Sequence, residues 1–259
     1  MRSESDDQGY TMGLGRVRRV VSLVPSLTEA VACTAAELLV GVTDWCTHPP
    51  SLAAARIGGT KNPDVERIVA LGPDLVLANE EENRAADVAA LRAAGLPVWV
   101  TEVRDVPRAL VSLDRMLVRA CGLPRPQWLD RAAHAWSELE PVSTPEAISA
   151  VVPIWRRPWM VLGRDTFAGD VLRRLGVQQL FSDHPERYPA IALPELQAAG
   201  AQLAVLPDEP YRFTVDDGPE AFPGLPCALV SGRHLTWYGP SLVDAPQVLR
   251  TQLRATVTS

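Results

Sequence analysis

The second half of the chain repeats the first at a nearly fixed offset. Glu66, Val76, Leu77, Asn79 and Glu80 are matched by Glu195, Val205, Leu206, Asp208 and Glu209, each 129 residues later, and Gly95-Leu96-Pro97 recurs as Gly224-Leu225-Pro226 at the same spacing. The apolar run ending at Pro25 finds its counterpart in Ile148 to Pro153, 128 residues on. Apolar strands resemble one another, so each match alone carries little. One ungapped register through a helix, a strand, an acidic loop and a turn is a stronger constraint, because it requires two copies of one supersecondary plan.

The plan is α/β. Val20 to Val24 is a short apolar strand. Ser26 and Glu29 have capping-box spacing and predict a helix to about Leu39. Val40 to Thr43 reads as a strand, and Asn62-Pro63 as a helix start with Pro at the first position. Leu75 to Ala78 is a strand, Asn83 to Ala94 a helix, and Pro97 to Thr101 a strand. Helical spacing then runs from Val106 to about Cys121 and, past Pro124 and Pro126, to about Leu139. Glu140 to Glu146 has the composition of a linker. The alternation resumes with strands Ile148 to Val152 and Trp159 to Leu162, helices Phe167 to Leu175 and Pro194 to Ala199, strands Leu203 to Leu206 and Ala228 to Val230, and a last helix from about Ser241. Strands alternating with helices predict mainly parallel sheets. The expected fold is two similar three-layer α/β lobes joined by a helical connector. Residues 17–104 form the first lobe, 105–140 the connector and 147–259 the second lobe, behind a disordered lead over 1–16.

Of the 259 residues, 25 are Lys or Arg and 31 are Asp or Glu, a formal net charge of −6. A negative chain without a basic tract is not built for nucleic acid, and no apolar run reaches the roughly 18–20 residues of a membrane helix. Cys33, Cys46, Cys121 and Cys227 form no CxxC pair and read as reduced thiols. The amino-terminal stretch carries no apolar signal core and no cleavage or lipidation site, so a cytoplasmic monomer is the expectation for the chain as written.

In open α/β sheets, ligands bind beyond the carboxyl ends of the strands. Pro25 and Ser26 follow the first strand, and Trp45, in Asp44 to Pro50, follows the second. Lys61, the only lysine, follows Gly58-Gly59-Thr60. Asn79 and Glu80 lead an acidic loop through Glu82 to Arg84. The second half offers Trp155, Trp159, Arg164, then Asp208, Glu209, Tyr211 and Phe213, and last Trp237 and Tyr238. Aromatic rings among polar groups suit a large ligand with a flat apolar body and a polar rim. The same tryptophans could equally be packing residues, and the acidic loop a solvated helix start. Gly-Gly-Thr-Lys lacks P-loop spacing, and no GxGxxG or GxSxG is present. Cys46-x-His48 stands alone among scattered histidines and makes no zinc site; no metal ligand and no catalytic residue is assigned.

Val20 to Ala30 (VVSLVPSLTEA), the Asp44 to Pro50 loop, Gly59 and Asp64 to Leu77 (DVERIVALGPDLVL) resemble class III substrate-binding proteins, the receptors of ABC importers for cobalamin, ferric siderophores and haem. The wording is most similar to that of the periplasmic cobalamin-binding proteins, over about residues 17 to 256. The resemblance implies two α/β lobes on a backbone helix, which Pro124 and Pro126 would break here. It also implies a chelate or corrinoid held between the lobes at Pro25, Ser26, Trp45, Trp155 or Trp159, Trp237 and Tyr238. Glu66 and Glu195 match the family's two importer-docking glutamates, so a permease is the implied partner of an exported form. Such receptors carry an export signal, which this chain does not display.

Three readings follow. The first is a carrier of a cobalamin-like corrinoid or related metal chelate, with no cofactor of its own and no catalysis. The second is a cytosolic enzyme using Glu80, Glu81, Asp208 and Glu209 as acid–base groups. The third keeps the fold but takes a ferric siderophore or haem, with Arg156, Arg164 and Arg212 as candidate contacts. Axial metal contact by His48 or His234 stays open.

Overall fold

The computed structural model describes residues 2–142 and 147–258. The chain divides into two compact units: one gathers the residues up to Val103, Pro107–Arg131 and Tyr238–Pro240, and the other Arg104–Val106, Ala132–Trp237 and Ser241 onward. The linker expected at Glu140 to Glu146 lies, from Ser143 on, outside the described residues.

The first unit begins with β1 (Arg2–Ser5) and β2 (Thr11–Leu14), an antiparallel hairpin with Arg2 opposite Leu14. In place of the expected disordered lead, the stretch forms strands held by buried charge together with the buried side chains of Met12 and Leu14. Asp6, at the hairpin bend and 2% exposed, accepts from the amides of Gln8, Tyr10 and Val100 and from Arg92 Nη2 at 2.8–3.2 Å. Asp7 binds Ser112, the Arg115 guanidinium and the Glu102 amide. A carboxylate taking several charge-assisted or amide hydrogen bonds is worth more than an ordinary polar contact, and composition alone does not show it.

β3 (Val20–Ser22), α1 (Pro25–Ala35), β4 (Leu39–Val42), β5 (Ala55–Arg56), β6 (Gly58–Gly59), β7 (Asn62–Pro63), α2 (Val65–Ala70), β8 (Leu75–Asn79), α3 (Ala85–Ala93) and β9 (Val98–Thr101) follow. The sheet is parallel throughout, in the order β5-β4-β3-β8-β9. Every residue of β3, β8 and β9 is buried, as expected of parallel strands covered on both faces. From β3 the chain crosses through α1 to one side, then returns to build β8 and β9 on the other. Right-handed crossovers therefore place α1 and α3 on opposite faces, giving three layers.

Two local expectations fail. The Ser26–Glu29 capping box does not form: Val24 is the N-cap, Pro25 opens α1, and Ser26 and Glu29 are both buried. Asn62-Pro63 does not start a helix but pairs with Gly58-Gly59 as β7. Asp64 caps α2 instead, accepting from the Arg67 amide at 2.9 Å.

The helical stretch expected as a connector comprises α4 (Val106–Asp114), a π-helical stretch over Arg115–Ala120, and α5 (Gln127–Trp136), with Pro107–Arg131 grouped in the first unit and Ala132 onward in the second. The amide of Cys121 reaches back five residues to the Met116 carbonyl, 2.9 Å, which closes the π turns ahead of Pro124 and Pro126. The helical backbone is broken where the prolines predict.

The second unit comprises β10 (Ile148–Val151), β11 (Pro153–Arg156), β12 (Trp159–Val161), α6 (Phe167–Arg174), β13 (Val177–Gln179), α7 (Leu193–Ala198), β14 (Leu203–Pro207), β15 (Cys227–Val230), α8 (Gly232–Thr236), α9 (Ala245–Arg254) and β16 (Thr256–Val257). Its sheet runs β13-β10-β14-β15-β16, with only β16 antiparallel. The order β13-β10-β14-β15 reproduces β4-β3-β8-β9, so the sequence repeat is a repeat of topology. β12 falls on the strand expected at Trp159 to Leu162, whereas β11, β16 and β13, the counterpart of β4, were not expected from the periodicity. Val151, Val161, Leu206, Phe213 and Phe222 centre this unit's core. Among the described residues no helix is long and apolar enough to cross a membrane.

The hairpin clasp generates a prediction. Asp6→Ala leaves Arg92 and three amides without their acceptor and should cost about 2–4 kcal/mol of stability, read by chemical denaturation. Rapid hydrogen exchange at residues 2–14 should accompany it. An unchanged midpoint would show that the hairpin is held by something else.

Candidate functional site

In each unit the strand order reverses beside the first strand, between β3 and β8 and between β10 and β14. Loops leaving the two sides of such a switch point diverge and leave a crevice at the carboxyl edge. In the first unit that edge carries Pro25-Ser26 after β3, Trp45 after β4 and the acidic loop after β8. In the second it carries the β11–β12 hairpin after β10 and Asp208 to Phe213 after β14.

Trp45 is the most exposed large apolar side chain of the first unit, 67% accessible. Its indole leans on Gly59, where a Cβ would stand 3.6 Å from Nε1. The loop below it is braced by Arg56, whose Nη1 donates to the carbonyls of Thr43 and Cys46 at 2.8 and 2.9 Å. Cys46 faces inward between the hydroxyls of Thr28 and Thr43, and burial pushes its thiol pKa up. It is a packing residue, and among the described residues no three His, Cys, Asp or Glu gather as a metal site.

The acidic loop is shaped by asparagines. Asn79 Oδ1 accepts from the amides of Glu81 and Glu82, and its Nδ2 donates to Thr101 O and Oγ1. Asn83 Oδ1 takes the Asn79 amide, and its Nδ2 reaches Thr60 O at 3.0 Å. Asn79, 3% exposed, is thus occupied with its own loop, and Asn83, which the sequence reading passed over, is its counterpart. Lys61 Nζ donates to the Glu81 carbonyl at 2.6 Å and ties the β6–β7 turn to this loop. Glu80 stays at the half-buried surface.

Tyr238 is grouped with the first unit although Trp237 belongs to the second. Its ring is buried in the neighbourhood of Thr101, Ser26, Glu82 and Glu81. Burial first, then those carboxylates, drives the phenol far above its ordinary range. It plugs the first unit's switch point rather than offering an open face.

The second unit carries an aromatic stack. Trp155, 41% exposed on β11, meets the edge of Tyr211 with centroids 5.7 Å apart. Tyr211 lies 4.7 Å from Phe213, which stacks on Trp159 at 6.0 Å. Trp155 and Tyr211 reach the surface, whereas Phe213 belongs to the core and Trp159 packs against that core. Arg156 lies 5.4 Å from the Trp159 ring and is paired with Asp217 and Glu220, while Tyr211 Oη donates to Asp217 at 2.7 Å. Neither acid was singled out from sequence, because an Arg–carboxylate pair sixty residues apart leaves no local pattern.

Asp208 accepts the Gly232 amide at 2.6 Å and Glu209 accepts Trp237 Nε1 at 2.9 Å. Burial raises the Glu209 pKa; the Trp237 hydrogen bond opposes that rise and the Asp208 carboxylate adds to it. Gly232 is required here, since a Cβ would lie 2.5 Å from the Glu209 amide nitrogen. Trp237 is 8% exposed, so it orients Glu209 more than it faces solvent. Arg164 is exposed, 3.8 Å from Asp165. His234 Nδ1 bonds Ser231 Oγ at 2.8 Å. Glu66 and Glu195 sit exposed in the first turns of α2 and α7, equivalent helices of the two units.

No family model matches the chain. The vitamin B12-binding protein of Pectobacterium carotovorum is 24% identical over 251 residues, covering 92% of this chain and 89% of that one. Among solved structures, the periplasmic vitamin B12-binding protein of Vibrio cholerae superposes with a TM-score of 0.72 at 17% identity, over 92% of this chain and 97% of its own. A periplasmic heme-binding protein from Pseudomonas aeruginosa gives 0.70 at 22% identity, over 93% and 94%. At these identities the superpositions establish the fold alone. In sequence the chain is similar to vitamin B12-binding proteins over nearly its whole length, and in fold to the periplasmic binding proteins for vitamin B12 and heme.

Proposed function

We propose that the chain binds a corrinoid or related metal chelate as a solute-binding protein and performs no chemistry on it. The observation that carries this reading is the pair of exposed indoles, Trp45 and Trp155, each on a strand-end loop of its own unit and each braced from beneath. A flat macrocycle is held by ring faces plus peripheral hydrogen bonds, and an aromatic contact is worth about 0.5–1.5 kcal/mol beyond the area it buries. Pro25, Lys61 and Glu80 lie on the strand-end loops of the first unit, as Trp45 does, and Arg164 and Tyr211 belong to the second unit, as Trp155 does. The relatives named for vitamin B12 favour a corrinoid, and the heme-binding neighbour makes haem the comparison ligand.

The enzyme reading fares less well on geometry. Asp208 and Glu209 are committed to the Gly232 amide and the Trp237 indole, so neither stands free as an acid–base group aimed at a substrate. Glu66 and Glu195, exposed at matched helix starts, suit the docking role for an importer permease.

Titration with cyanocobalamin and, separately, with hemin should quench tryptophan fluorescence to saturation for the preferred ligand at micromolar concentration or below. Trp45→Ala and Trp155→Ala should each weaken it about tenfold, or ~1.4 kcal/mol. Saturation by hemin alone would move the assignment to haem, and no response to either ligand at tens of micromolar would sink it. Glu66→Arg and Glu195→Arg should leave that affinity within about twofold while abolishing stimulation of the ATPase of a reconstituted cognate importer, because exposed charges act on encounter and docking. Undiminished stimulation in the double variant would remove both residues from the docking surface.

A further inference from the structure

A cavity of about 570 Å³ lies within the first unit, away from the strand-end loops. Val17 and Arg18 precede β3 and Leu38 precedes β4, so it opens at the amino edge of the parallel sheet, the edge opposite Pro25, Trp45 and Asn79. Arg2, Arg16 and Arg18 line it together with Leu38, Cys121 and Leu123. Among the described residues none of these three guanidiniums forms an ion pair. The Asp74 carboxylate at this edge is taken up by the backbone amides of Arg18 and Arg19 at 2.8 and 2.9 Å. Burial pushes the Cys121 thiol up to about 12, so the sulfur contributes no negative charge at neutral pH.

Three guanidiniums line one concavity with the single Asp74 carboxylate bonded beside them, so the balance of charge there is positive and raises the local potential. A guanidinium fork matches the oxygens of a phosphoryl group two at a time, and the leucines opposite provide a wall for a carbon skeleton. The Arg2 guanidinium lies against Gly122. That glycine sits at φ +71, and a Cβ on it would stand 3.2 Å from Arg2 Nη2, so the missing side chain leaves room for the guanidinium.

We propose that this cavity binds an organic phosphate, a phosphoryl group carried on an apolar body, independently of the ligand at the strand-end loops. Such a group can come from a soluble phosphate ester or from a phospholipid headgroup, and one experiment separates the sources. Phenyl phosphate and inorganic phosphate are titrated into the full chain by calorimetry at low salt. Flotation with phosphatidylcholine vesicles, with and without phosphatidic acid, runs in parallel.

The expected result is binding of phenyl phosphate with Kd below about 1 mM, tighter than inorganic phosphate, and weakened at least tenfold in Arg16→Gln/Arg18→Gln. Both arginines are exposed, so the variant should melt as the parent does, and Arg2→Gln provides a second, independent variant. Phosphatidic acid vesicles that compete with phenyl phosphate identify the lipid source, and their failure to compete identifies the soluble ester. No heat up to about 10 mM ester, or equal affinity in the arginine variants, would overturn the assignment. Cyanocobalamin affinity is measured on the same variants and should not move, which keeps this test separate from that of the strand-end site.

Discussion

Two opposed crossovers from one buried strand organise each unit. β3 and β10 are hydrogen-bonded on both sides, and the chain leaves each first to one side and later to the other. Because a right-twisted strand accepts only right-handed returns, this choice alone fixes which helices cover which face and where the loops part. The indoles and acidic loops take their positions from that parting. Sheet burial supplies the stiffness: in β8 and β14 all five residues are buried, so the loops that follow spring from rigid bases.

The loops themselves are held by polar side chains rather than by packing. Asn79 and Asn83 clasp one acidic loop, and Arg56 braces the loop beneath Trp45. Arg156 with Asp217, Glu220 and Tyr211 locks the aromatic stack. Each clasp leaves the apolar faces of Trp45 and Trp155 accessible while removing freedom from the backbone underneath. An aromatic platform prepared in this way loses little conformational entropy when a ligand arrives.

The topology was legible in sequence because parallel strands buried on both faces are continuous apolar runs, and because two copies of one register reinforce each other. The strand-end positions of Trp45 and Trp155 followed from that. The amino-terminal hairpin was not legible: Asp6 and Asp7 are ordered by Arg92 and Arg115, more than eighty residues away, and polar composition then reads as disorder. The capping box at Ser26 and Glu29 failed because Pro25 already opens the helix and the edge around it is buried. Asn79 and Phe213 follow the end of their strands as expected, whereas Tyr238 comes after α8 rather than directly after a strand; periodicity cannot tell a residue that shapes a loop from one that faces solvent. Phe213 turned into the core and Asn79 toward its own backbone.

The grouping of Tyr238–Pro240 with the first unit breaks the symmetry of the repeat. Its ring fills the place beside Ser26 and Thr101, and the carbonyl of Ser26 would lie 3.1 Å from a Cβ on Gly239. No residue before Arg131 substitutes for that insertion. A fragment ending at Arg131 would be hollow at its switch point, with two hydroxyls and neighbouring carboxylates facing a void. The first unit therefore draws one of its core side chains from the far end of the chain, and its switch point is filled only when residues near 238 have been made.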